Sequence, residues 1–137
     1  CNATINDRVY FGSAKGIIYS LNQKDNKLEE VFNTGEMLVT TLIANNGELY
    51  AGTIPNGKIF KIDQSGKGTL FCTISTGPAK GDPAKAGQTY VWQLCLDNNN
   101  NLYAATGPEG KIYKIDNAGK AEVFYDTKKK NVLSLPL

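Results

Sequence analysis

The sequence predicts an all-β fold built from repeated four-stranded antiparallel units. Three observations carry that prediction. The stretch LYAATGPEGKIYKID, Leu102 to Asp116, recurs as LYAGTIPNGKIFKID over Leu49 to Asp63, and in eroded form as VYFGSAKGIIYSLN over Val9 to Asn22. Short runs rich in Val, Ile, Leu and Tyr alternate with Asn, Asp and Gly clusters, the pattern of strands joined by tight turns. The period also fits: 40 positions separate Tyr10 from Tyr50 and 53 separate Tyr50 from Tyr103. A four-stranded unit of about 40–45 residues cannot bury both of its faces alone and must stack on neighbours.

Composition sets outer bounds. The 137 residues are 41% apolar, enough for a core at single-domain size. A formal charge of +2 is too small to steer the chain toward nucleic acid or an acidic partner. No apolar run approaches the roughly 18 residues of a spanning helix, and no secretory leader pattern occurs. Histidine is absent, which removes the commonest general base and the commonest metal ligand.

The third copy is the most complete. Tyr90 to Leu96, YVWQLCL, is apolar on both faces and reads as a strand buried on two sides. Asp97 to Asn101 is a turn of residues that tolerate positive φ. Leu102 to Thr106, Lys111 to Asp116 and Ala121 to Tyr125 are the next strands, separated by Gly107-Pro108-Glu109-Gly110 and Asn117 to Lys120; Phe124 anchors the last. The second copy repeats this with Met37 to Ile43, Leu49 to Thr53, Lys58 to Asp63 and Thr69 to Thr73, and Phe71 is its anchor. The first copy has Val9 to Ser13, Ile17 to Asn22 and Leu28 to Asn33, with Phe32 as anchor; the residues before Asn6 read as too few and too polar for a strand. The units run from about 5 to 34, 36 to 74 and 90 to 127. Residues 75–89, STGPAKGDPAKAGQT, are an inserted loop.

The segment VWQLCLDNNNNLYAATGPEGKIYKID resembles the blades of bacterial β-propellers of the WD-like, PQQ-enzyme and two-component-regulator types. The Gly-His and Trp-Asp dipeptides of eukaryotic WD repeats are missing. The resemblance implies a β-propeller or part of one, and it is silent on function, because such blades occur in enzymes, sensors and scaffolds.

A propeller typically has 4–8 blades. Residues 131–137, NVLSLPL, resemble Val91 to Leu96 and read as a first strand out of phase with the three units. Three arrangements fit: remaining blades supplied by a longer chain, a six-bladed ring of two copies of the chain, or a smaller or open stack. Open strand edges and bare apolar faces speak against the last.

Candidate chemistry is sparse. Asp97 to Asn101 imitates a calcium loop, but Leu102 stands where glycine is needed and Pro108 where the closing glutamate is needed, so a hairpin turn is expected. Asp63, Asp116 and Asn22 share a position at the end of a strand, suited to bonding turn backbone. Ser13, Thr53 and Thr106 share another; a hydroxyl repeated in every unit is structural rather than nucleophilic. Lys128-Lys129-Lys130 reads as a solvated surface. Cys72 and Cys95 fall on strands at opposite edges of a unit, too far apart for a bridge, and are expected as free buried thiols. Cys1, followed by polar residues, resembles the start of a mature lipoprotein and is the candidate for lipidation; the alternative is that the chain simply starts there. Asn2-Ala3-Thr4 matches the N-glycosylation pattern, a match this short being usually chance.

These readings converge on a non-catalytic binding or sensing module outside the cytoplasm, its ligand a protein or glycan. No metal site, cofactor or nucleic-acid partner is expected, and a membrane is met only through Cys1. In a blade, the loop between second and third strands shares a face with the links between blades. The ligand-binding candidates are therefore Lys15, Asn56, Glu109, Lys85, Gln88, Tyr90 and Trp92, around the inserted loop. Two alternatives stand: a lactonase-, lyase- or quinoprotein-like propeller enzyme with its site at the channel mouth, and a purely structural subunit.

Overall fold

A computed structural model of the protein describes residues 1–74, 89–129 and 131–132. They form twelve strands and no helix: β1 (Asn2–Ile5), β2 (Arg8–Gly12), β3 (Ile17–Asn22), β4 (Leu28–Asn33), β5 (Leu38–Asn45), β6 (Glu48–Ile54), β7 (Lys58–Ile62), β8 (Gly68–Thr73), β9 (Tyr90–Leu96), β10 (Leu102–Gly107), β11 (Lys111–Ile115) and β12 (Ala121–Asp126). Each run of four pairs in order as an antiparallel meander, giving three sheets.

The turns follow the residue types that sequence reading assigned to them. Asn6, Asn46 and Asn100 adopt positive φ between neighbouring strands. At the ends of β7 and β11, the Asp63 carboxylate accepts the N–H groups of Ser65 and Lys67, and Asp116 accepts those of Ala118 and Lys120. Asn22 accepts the Lys24 N–H in the same place. The three repeated hydroxyls are equally local. Ser13, Thr53 and Thr106 donate at 2.7 Å to the carbonyls of Ile17, Lys58 and Lys111.

The sheets stack through two apolar seams. Ile18, Val39, Leu42, Leu49, Ala51, Phe60 and Ile62 join the first sheet to the second. Ile59, Cys72, Ile74, Val91, Leu94, Leu102, Ala104, Tyr113 and Ile115 join the second to the third. Adjacent residues Ile59 and Phe60 enter different seams, because side chains alternate across a strand and β7 is covered on both faces. The approach is close. A Cβ at Gly12 would lie 2.6 Å from Val39 Cγ1, and one at Gly52 would lie 2.6 Å from Val91 Cγ1, so only glycine lets the next sheet's first strand in.

Two details differ from the sequence reading, and a third falls mostly outside the described residues. Asn2–Ile5 is a strand, paired with β2 from Asn2↔Phe11 to Ile5↔Arg8. Its side chains are modest, but Ala3 and Ile5 reach the first seam, and that packing outweighs the segment's polarity. The first sheet therefore carries its own opening strand, and the strand count that put the chain one strand out of phase changes. Second, Val31 and not Phe32 holds the anchor position. Each outer strand has a bulge, and the register pairs Ile18 with Phe32, Ile59 with Cys72 and Ile112 with Tyr125. Phe32 instead meets Phe60 across the first seam, with ring centroids 5.6 Å apart. Third, the 131–137 strand lies outside the described residues except for Asn131 and Val132. The Val132 N–H bonds the Thr106 carbonyl at 3.0 Å, the counterpart of Val39 N–H to Ser13 at 3.2 Å where the second sheet begins.

Candidate functional site

The β2–β3, β6–β7 and β10–β11 loops share one face with the links between sheets. The residues that flank the insertion, Ile74 and Thr89, lie on that face. Ile74 N–H bonds the Gly57 carbonyl at 2.8 Å, and Thr89 N–H bonds the Pro55 carbonyl at 3.0 Å. Both ends of the insertion are thus tied to the β6–β7 loop. Lys85 and Gln88 lie outside the described residues.

The other candidates fall into separate settings. Lys15 is exposed at φ 73°, its N–H bonded to the Met37 carbonyl. Asn56 donates at 2.9 Å to Glu36, whose other carboxylate oxygen is 3.1 Å from Lys58 Nζ. Glu36 is 8% exposed and was missed by sequence reading. Its signal was available: an acid in the link between units, with a lysine opening the third strand of the next. Glu109 pairs with Lys111 at 2.9 Å, and that hydrogen bond raises the lysine's pKa. Tyr90 and Trp92 contact each other, 5.5 Å between ring centroids, and the Trp92 indole donates to Asn131 at 2.9 Å. The structure brings Asn56 together with Glu36 and Lys58, and Tyr90 together with Trp92; among the described residues it does not bring Glu109 to any other candidate.

Elsewhere the titratable groups serve the framework. Asp97 binds the N–H groups of Asn99 and Asn101, the Asn101 side chain and the Tyr103 hydroxyl. The Asn101 bonds lead in holding its pKa down to about 2. This is the hairpin turn expected there. Cys72 and Cys95 are free and buried. Burial pushes the Cys72 thiol up to about 11, with Asp116 adding to it, and raises Cys95 in the same way, with Asp97 adding. Cys1 is exposed, but its Sγ turns toward the Val39 carbonyl, 3.6 Å away in the first seam. An acyl chain on that sulfur would have to displace the contact.

On the opposite face, where the β1–β2 and β3–β4 turns meet those of the second sheet, a cavity of about 760 Å³ opens between the first two sheets.

With this geometry in view, the fold has clear counterparts. The chain superposes on a streptogramin B lyase with TM-score 0.69 at 18% identity, over 93% of this chain and 40% of that one. Virginiamycin B lyase from Staphylococcus aureus gives 0.69 at 18% identity, over 94% and 41%. The extracellular domain of BT4673 from B. thetaiotaomicron, described as a one-component system, gives 0.70 at 15% identity, over 97% and 18%. The chain spans less than half the length of each. No family model and no curated sequence matches it. At these identities the likeness defines the fold: three consecutive four-stranded blades of a β-propeller.

Proposed function

We propose that the chain is the ligand-contacting part of an extracytoplasmic propeller that binds or senses without catalysis, through the face carrying the 75–89 loop. The observation that carries this reading is the tie at the end of that loop, where the Thr89 N–H bonds the Pro55 carbonyl of the β6–β7 loop; the Ile74 bond to Gly57 is the one every sheet makes. A long insertion held at its base on a rigid scaffold is suited to recognition. The side chains nearby support binding over chemistry. Glu36 is engaged by Lys58 and Asn56, Glu109 by Lys111, and the repeated hydroxyls by backbone carbonyls, so each has a structural partner. The extracytoplasmic placement rests on the likeness to an extracellular domain. The other blades of the ring come from a longer chain or a second copy of this one.

The test replaces residues 75–88 with a short Gly-Ser linker and reads wild type and variant on glycan and peptide arrays. Wild-type signals that vanish in the variant support the reading; signals unchanged by the replacement overturn it. The likeness to the two lyases favours one alternative, a propeller lyase. Incubation with streptogramin B, followed by mass spectrometry, distinguishes them. No change in the antibiotic is expected, and its conversion would make the chain part of an enzyme.

A further inference from the structure

The two clefts on the face opposite the inserted loop are built from equivalent positions, yet one holds about 760 Å³ and the other about 280 Å³. The smaller, between the second and third blades, is filled by its own side chains. Phe71 meets Tyr50 edge-on at 5.2 Å, and Lys61 Nζ lies 5.8 and 5.6 Å from those two ring centroids. Strand register makes Tyr10 the counterpart of Tyr50, Val31 of Phe71 and Ser20 of Lys61. A ring and a long amine are therefore replaced by an isopropyl group and a hydroxymethyl group. The facing turn also stands off. A Cβ at Gly66 would find only Val31 Cγ1, at 3.9 Å, whereas one at Gly119 would collide with the Phe71 carbonyl. The smaller side chains at these two positions leave the first cleft open, with Tyr10 in its wall.

The lining limits what fits. Tyr10, Val31 and Ile5 give a small apolar floor. Around it, the charges are largely matched already: Lys24 with Asp7 at 3.2 Å, and Arg8 with Glu29 at 3.9 Å and with the Ser20 hydroxyl at 3.4 Å. Glu30 adds one more carboxylate, so a phosphate or other anion meets three acids against two bases. A ligand with a flat apolar face and a rim of neutral donors and acceptors matches this surface, and the volume falls in the range of about 300–1,000 Å³ usual for small-molecule sites.

We propose that the cleft between the first and second blades binds one neutral saccharide unit, stacked on Tyr10 and hydrogen-bonded by Asp7, Arg8 and Gln64. The site is separate from the 75–89 face and stands or falls independently of it. Saturation-transfer NMR with methyl β-D-glucoside, methyl β-D-galactoside and N-acetylglucosamine tests it, with methyl β-D-glucuronide as the charged control. At least one neutral probe is expected to receive transfer from wild type. The Val31→Phe/Ser20→Lys double variant, which copies the filled cleft, and Gln64→Ala, a milder change, should each weaken binding tenfold or more while melting near the wild-type temperature. The 75–88 linker replacement should leave binding intact. Absence of transfer from wild type, transfer to the glucuronide alone, or undiminished binding by a folded double variant would overturn the proposal.

Discussion

The two seams of this molecule share an apolar frame and differ in their polar fastenings. The first is fastened at its rim by backbone: the Lys15 N–H bonds the Met37 carbonyl at 2.8 Å and the Val39 N–H bonds the Ser13 carbonyl at 3.2 Å. The second is fastened deep inside by hydroxyls. Thr40 donates to the Val91 carbonyl, and Thr41 accepts the Leu94 N–H at 3.2 Å. The comparison teaches that stacking is specified by what repeats, glycine against valine and alternating aliphatics, while each seam finds its own way to satisfy the polar groups that stacking buries.

The largest effect should come from breaking the shared frame. Gly52→Val would drive methyl groups into Val91 and Thr41, which already stand 2.6 Å from the position of an added Cβ. A loss of about 3 kcal/mol is expected in urea unfolding. The same change at Ala105, the corresponding position in the third blade, should cost less than half as much, because a Cβ is already accommodated there. Equal losses would show that the frame is not set by this contact. Glu36→Ala acts next, within the second blade. It leaves Lys58, itself part-exposed, without its partner, and about 1–2 kcal/mol should be lost in the same measurement. Thr41→Val acts on the second seam and should cost about 1 kcal/mol by leaving a strand N–H unpaired. If Thr41→Val is neutral, the second seam is held by apolar packing alone.

Smaller effects concern single groups. Asp97 has a folded pKa of about 2 against an ordinary value of 3.8. The sign follows from linkage: a depressed carboxylate contributes stability that is present above 3.8 and lost as pH falls through about 2. Melting temperature should therefore fall across that window, and fall less steeply in Asp97→Asn. The mildest test is chemical. At pH 8, iodoacetamide should modify exposed Cys1 rapidly and leave Cys72 and Cys95 almost untouched, as burial raises both thiols. Intact-mass counting of adducts reads the result.

Much of this architecture was legible in the chain. The three copies of the repeat located eleven of the twelve strands and their turns, because period-two alternation between Asx and Gly clusters leaves little choice of fold. β1 escaped notice since its four residues are ordinary alone and become a strand only by pairing with β2 and facing the seam. Phe32 was misplaced because a bulge shifts which residue faces where, and a bulge leaves no mark in an alignment by eye. The candidate site was less legible still. Asn56 and Lys58 could be read, but Glu36 lies 20 positions away from Asn56 and comes opposite it only through the β5–β6 register, which pairs Leu38 with Ile54. The open cleft depends on two smaller side chains, Val31 and Ser20, whose meaning appears only against the filled copy next door.

The bond from Val132 to Thr106 repeats the one from Val39 to Ser13. A handover made at the same atom pair at both of these junctions works like a thread on a screw: angle and rise per step are settled locally, with no reference to how many steps follow. Lineages carrying such a device can gain or lose whole units by duplication and keep every existing junction intact. Divergence is then free to act on one groove at a time.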